Sequence, residues 1–244
     1  GRLEEGYGLN PIAIDYLHGL GVKLIVTVDC GITAVEEAQL CKELGIDLVI
    51  TDHHECKDTL PDACAVVDPH RPDGGYPHKT LSGVGVAFKL AAALSGNQEQ
   101  VLREYADMVC LGTVADVMPL HGENRVFVTR GLETLRQSAR PGLAALLREC
   151  GCEPDSLRAS TIGYMVAPRI NAAGRMGQID LALSLFLTQD PQVGHEMAAA
   201  LCELNRQRQN VESEIYQQAI SMLPQGQPPE AIVLAEESWH QGVV

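Results

Sequence analysis

The chain has 244 residues, of which 45% are hydrophobic and only 4% aromatic, and its net charge is −14. These values exclude a disordered chain and a protein that grips nucleic acid over its whole surface, and they require an aliphatic core. No run of about 18 apolar residues marks a membrane span, and no signal peptide is visible. The eight cysteines are scattered, with no C-x-x-C pair, as expected for reduced, mostly buried thiols in the cytoplasm. The chain opens on Gly1 and stops at Val244, which reads as a piece of a longer protein.

In chain order, residues 22–29 (VKLIVTVD) form a nearly continuous apolar, β-branched run, the pattern of a buried parallel strand. Residues 33–44 carry helical spacing, with Thr33 and Glu36 as a capping box and Gly45 as the stop. Residues 47–51 (DLVIT) and 63–67 are two further strands, the last closed by Asp68-Pro69. A β-α-β-β start calls for a parallel sheet with covering helices.

From Pro77 onward the pattern is helical, at 84–94, 99–111, 123–137, 142–150 and 181–187. A long charged pattern over 191–223 follows, then the breaker-rich stretch 224–229. These read as a connecting helix and a linker. Residues 230–235 (EAIVLA) have the pattern of the first strand of another domain. The expected fold class is therefore α/β: a parallel-sheet domain with a helical second half (1–190), a long connecting helix (191–223), and a linker with the start of a second α/β domain (224–244).

The candidate chemistry lies at strand ends. Asp29 closes the first strand and Asp52-His53-His54 follow the second. Open α/β sheets gather ligands at the carboxyl ends of their strands, so neighbouring strands would bring these side chains to one edge. Asp116, in GTVADVMPL, is expected at a helix end or turn. A carboxylate-rich set with histidine suits Mn²⁺ or Mg²⁺, and two such ions about 4 Å apart can bridge a phosphate and activate water. Each residue also has a plainer reading, as a turn, a cap or a solvated carboxylate. Ser82, Gly83 and Gly85 open a helix whose free N–H groups could receive a phosphate, or they are simply a capped start.

Taken together, TVDCGI, VITDHHE, LSGVGVAFKL, LGTVADVMPL, RINAAGR and WHQGVV resemble the DHH phosphoesterase family. RINAAGR, the long helix and WHQGVV are similar to its single-strand exonuclease branch. The resemblance covers nearly the whole chain. It implies that Asp29 bridges two divalent cations, Mn²⁺ or Mg²⁺, and that His53 and Asp116 ligate one of them. His54 would face the scissile phosphate and Asp52 would orient the histidine pair. Arg169, Asn171 and Arg175 would contact the substrate. Lys79, Lys89 and Arg71 are further candidates for the same groove, whereas Trp239-His240 reads as a buried pair of the next domain. The implied reaction is 5′-to-3′ hydrolysis of single-stranded DNA to mononucleotides, in DNA repair and recombination, with a helicase and a single-strand-binding protein as possible partners.

The family carries an Asp-x-Asp motif on an earlier strand. None precedes Asp29, and Glu4 and Glu5 do not replace it. Weak Mn²⁺ binding, little exonuclease activity and a raw sheet edge are the corresponding expectations for the chain by itself. The alternatives are another DHH enzyme, acting on pyrophosphate or short oligonucleotides, and a non-catalytic single-strand-binding scaffold.

Overall fold

A computed structural model describes residues 8–137, 140–223 and 230–244. The linker 224–229 and the pair Glu4-Glu5 lie outside the described residues. The chain forms two compact units. The first comprises described residues 8–137 and 154–163, and the second 140–153, 164–223 and 230–244.

The first unit opens with helix α1 (Pro11–Gly19), an element not expected from the sequence. It starts cleanly, since Asn10 accepts from the Ala13 N–H and Pro11 needs no partner for a missing N–H. Strand β1 (Leu24–Val28), helix α2 (Val35–Glu43), strand β2 (Asp47–Thr51) and strand β3 (Ala65–Val67) follow. The sheet is parallel, in the order β1-β2-β3. The expected Thr33 capping box is absent. Ala34 occupies the cap without a side-chain bond, because a turn closed by Ala34 N–H to the Gly31 carbonyl delays the helix.

Ile25, Leu48 and Ile50 pack on Ile14, Ala38 and Cys41, so α1 and α2 cover one sheet face. β1 is not buried on both sides as its sequence suggests. It is an edge strand among the described residues, and Leu24, Val26 and Val28 on its other face are exposed. Near-continuous apolar runs predict burial only where both faces are covered.

Helices α3 (Gly83–Ser95), α4 (Gln98–Ala115) and α5 (Gly122–Arg136) complete most of this unit. Their shared core contains Leu81, Val86, Phe88, Val101, Val109 and Phe127, and α3 also approaches β1 and β2. The consequence for chemistry is that α3 begins, and α4 ends, beside the carboxyl edge of the sheet.

The second unit is helical, with α6 (Pro141–Glu149), α8 (Ala167–Arg175), α9 (Ile179–Leu187) and α10 (Pro191–Ser221). A short helix α7 (Ala159–Thr161) and a π-helical turn at Ile162–Val166 precede α8. The first half of α10 is packed on α6, α8 and α9 through Ala198, Leu201 and Leu204. Residues 230–235 do not form the expected strand. A strand needs a ladder partner, and none of the described strands pairs with this segment. Trp239 and His240 are half-buried instead of forming a core pair, and the Trp239 indole N–H donates to Gln218. All eight cysteines are free thiols. Among the described residues no helix is long and apolar enough to cross a membrane.

Candidate metal centre

The β1–β2 register pairs Val28 with Thr51 and so brings the next residues, Asp29 and Asp52, to the same sheet edge. The ladder extends one step further, with Asp29 N–H donating to the Thr51 carbonyl and Asp52 N–H to the Val67 carbonyl. Two buried hydroxyls lock the exit from β1: Thr51 Oγ1 donates to the Thr27 carbonyl and Thr27 Oγ1 to the Cys30 carbonyl, both at 2.7 Å. Asp29 itself has φ = 66°, in the left-handed region. Only glycine, asparagine and aspartate enter this region at modest cost, and such outliers gather where function over-determines the backbone.

Asp52 is buried and organises the loop after β2. Its Oδ2 accepts from Ile32 N–H at 2.9 Å, and its Oδ1 accepts from the N–H of His53 at 2.7 Å and of His54 at 3.3 Å. The same Oδ1 accepts from His54 Nδ1 at 2.7 Å. Burial pushes the Asp52 carboxyl upward, but these donors outweigh it and hold the group below the usual carboxylate range. His53 is fixed in a similar way, its Nδ1 donating to the Leu81 carbonyl at 2.9 Å. Carbonyl and carboxylate oxygens can only accept, so in the neutral rings both lone pairs fall on Nε2.

The buried Nε2 of His53 lies 3.0 Å from Asp29 Oδ1 and 3.4 Å from Asp116 Oδ2, yet has no hydrogen bond of acceptable angle. Asp29 and, against the opposing pull of burial, Asp116 raise the His53 imidazole above its ordinary value. Burial raises the Asp116 carboxyl, and the nearby Asp29 carboxylate adds to the rise. Asp116 sits at the C-cap of α4, the helix end expected from sequence. Ligand-capable atoms of Asp29, His53 and His54 lie within 4.8 Å of one another. Two carboxylates and two imidazoles thus converge on one small volume from β1, β2 and α4.

The start of α3 is packed against Asp29. Ser82 is buried and caps the helix, its Oγ accepting from Gly85 N–H at 3.2 Å and bonding Thr113 Oγ1 at 3.0 Å. A Cβ on Gly83 would lie 2.1 Å from Asp29 Oδ1. The helix start therefore seats the Asp29 carboxylate, which the positive end of the helix favours. Ser82 and Gly83 thus support the Asp29 carboxylate, and a substrate contact by Ser82, Gly83 and Gly85 remains a proposal. Sequence reasoning missed Thr27, Thr51 and the Leu81 carbonyl. Hydroxyl-to-backbone locks and a main-chain acceptor leave no motif.

The remaining candidates lie in the second unit or are already engaged. RINAAGR forms the body of α8, with Ala172 and Ala173 buried, Asn171 and Arg175 exposed, and Arg169 turned partly inward. Arg169 donates to the Met165 carbonyl one turn earlier, and Arg175 to the Gly242 carbonyl at 3.2 Å. Lys79 donates to the Pro69 carbonyl, Lys89 pairs with Glu123 at 2.5 Å, and Arg71 engages Asp73 and the Val66 carbonyl.

Residues 4–113 match the N-terminal domain of the DHH family. The single-stranded-DNA-specific exonuclease RecJ of Bacillus subtilis (strain 168) is 46% identical over all 244 residues of the chain, which span 31% of that protein's length. A crystal structure of exonuclease RecJ bound to manganese superimposes with a TM-score of 0.85 at 36% identity, over 99% of this chain and 61% of that one. The Mn²⁺ complex of RecJ from Thermus thermophilus gives 0.82 at 36% identity, over 97% of this chain and 36% of that one.

Proposed function

We propose that the chain, whose residues 4–113 match the N-terminal domain of the DHH family, supplies the catalytic centre of a metal-dependent, single-stranded-DNA-specific 5′-to-3′ exonuclease of the RecJ type, a cytoplasmic enzyme of DNA repair and recombination. The observation that carries this reading is the buried His53 Nε2 facing Asp29 and Asp116 at 3.0 and 3.4 Å without a properly angled hydrogen bond. Such an atom is satisfied by a cation between it and the two carboxylates, and oxygen donors with one or two imidazoles suit Mn²⁺ or Mg²⁺.

Asp29, His53 and Asp116 would hold the cations, with Asp29 shared between two of them. Bound there, divalent cations supply a nucleophilic hydroxide near neutral pH and stabilise charge on the phosphate. The chain's own residues do the rest. The Leu81 carbonyl fixes the His53 ring so that Nε2 points inward. Asp52 fixes the His54 ring through Nδ1, so that Nε2 is the atom left to face a phosphate oxygen as negative charge develops. The grouping of His54 with Asp29 and His53 favours a second role, a neutral His54 as a further ligand. His54→Gln separates the two: loss of Mn²⁺ affinity marks a ligand, and lost turnover with affinity intact marks a phosphate contact.

Arg169, Asn171 and Arg175 remain proposed strand contacts. Residues 1–190 are proposed as the catalytic domain, 191–223 as a connecting helix, and 224–244 as the entry to a substrate-holding domain. A helicase and a single-strand-binding protein fit such an enzyme as partners.

The test is Mn²⁺ binding, read from the paramagnetic resonance of the free aqua ion, together with release of mononucleotides from a 5′-phosphorylated single strand. Duplex, dinucleotide and pyrophosphate serve as rival substrates. Binding that Asp29→Asn abolishes, with release from the single strand, is expected. Preference for pyrophosphate or dinucleotide would move the chain to another branch of the family, and absence of Mn²⁺ binding would overturn the metal centre.

A further inference from the structure

Asn124 is fully buried near the start of α5, and its hydrogen bonds go to main-chain carbonyls and not to the proposed ligands. Its Nδ2 donates twice, to the Thr80 carbonyl at 2.5 Å and to the Pro119 carbonyl at 3.1 Å. Two carbonyl acceptors fix which end of the amide faces them. Its Oδ1 is buried with no hydrogen-bond partner. An unsatisfied acceptor is unfavourable, so the side chain holds a position that serves its two donor contacts and not its own full satisfaction.

Both contacts fall beside the metal centre in sequence. Thr80 precedes Leu81, whose carbonyl orients His53. Pro119 lies three residues after Asp116, and between them Val117 has φ = 56° while 86% exposed. A β-branched residue is strained in that region, and an exposed one gains little from packing. Strained backbone persists where surrounding structure over-determines it. The bonds from Val117 N–H to the Val114 carbonyl, from Met118 N–H to the Thr113 carbonyl, and from Asn124 to Pro119 hold the turn. The Pro119 carbonyl also accepts from His121 N–H at 3.0 Å, and the bond between Ser82 Oγ and Thr113 Oγ1 ties the end of α4 to the residue after Leu81; Asn124 bonds directly to both Thr80 and Pro119.

We propose that Asn124 is a positioning residue for the metal centre, a clamp that sets the His53-orienting Leu81 carbonyl and the Asp116 turn at a fixed separation. The proposal rests on the metal-centre reading above. Its logic is that of outer partners of metal ligands, whose loss weakens binding though they never touch the ion.

The test compares the parent chain with Asn124→Leu, which keeps the volume and removes the donors. Three quantities are read: Mn²⁺ affinity from the aqua-ion resonance, the metal-free melting temperature, and the metal-free proton resonance of His53 Nδ1–H, assigned with His53→Gln. The expected result is an affinity about tenfold or more lower, with the Nδ1–H resonance shifted or broadened in the folded, metal-free chain. A purely structural role would lower the melting temperature and leave both other readouts at parental values, and that result overturns the clamp. Should Asn124→Leu not fold, Asn124→Ser, which retains one donor, carries the same test: reduced Mn²⁺ affinity supports the clamp and parental affinity refutes it. Asp29→Asn separates the two levels. If it binds Mn²⁺ like the parent, the metal-centre reading fails and the clamp with it. If it loses binding while the Asn124 variants keep theirs, the clamp alone fails.

Discussion

Gly83→Ala asks whether the Asp29 carboxylate is seated where the fold places it. The new methyl carbon would lie 2.1 Å from Asp29 Oδ1, 2.4 Å from Cγ and 2.6 Å from Cβ. Ordinary contact between such atoms is about 3.5 Å, so the carboxylate or the start of α3 must retreat by more than about 1 Å. The helix cannot yield easily, since Ser82 is tied to both Gly85 and Thr113. Asp29 must therefore move, and His53 Nε2 loses its 3.0 Å neighbour. Overpacking of this kind costs about 1–3 kcal/mol, and the better helix propensity of alanine returns up to about 1 kcal/mol. The expected outcome is a modest loss of thermal stability with at least about a tenfold loss of Mn²⁺ affinity, the scale of disturbed metal sites. Calorimetric Mn²⁺ titration beside a thermal melt measures both. Parental affinity and stability together would refute the packing of Asp29 on α3.

Asp29→Gly and Asp29→Ala should both lose Mn²⁺ binding, while the glycine variant unfolds at the higher denaturant concentration by about 1 kcal/mol, because φ = 66° strains alanine alone; equal midpoints would argue against that backbone conformation. Asp52→Asn should cost about 3 kcal/mol in urea unfolding, since an amide cannot accept from Ile32, His53 and His54 together and leaves buried donors unpaired. The folded-state pKa of Asp52 is depressed, so its contribution is complete above the ordinary carboxylate pKa and is lost as pH falls through the lowered value. Stability measured from pH 6 to pH 2 should therefore fall less steeply in Asp52→Asn than in the parent, and parallel curves would count against the assignment.

The strands were legible because β-branched runs at 22–29, 47–51 and 63–67 have few other uses, and they fall at Leu24–Val28, Asp47–Thr51 and Ala65–Val67. Sheet parallelism then dictates that Asp29 and Asp52 share an edge. The placement of Asp116 at the C-cap of α4 was legible from the proline that follows it. The edge position of β1 was anticipated as a raw sheet edge, whereas the exposure of the face carrying Leu24, Val26 and Val28 was not, because local sequence does not say what covers a strand. Nor was the packing of Asp29 against the start of α3, since a small-residue helix opening does not name the side chain that approaches it. The bond from Arg169 to the Met165 carbonyl was likewise not legible, since it depends on the course of α8.

The bonds to Asp52 were described as the scaffolding of a loop, but they also bear on the thermodynamics of cation capture. A loop already tied down by main-chain donors has little left to freeze when an ion arrives, so the entropic toll of ordering falls on protein folding instead of on binding. Occupancy should then proceed with little change in amide exchange around residues 29–32 and 52–54, and the ions should come and go without the surrounding backbone opening to admit them.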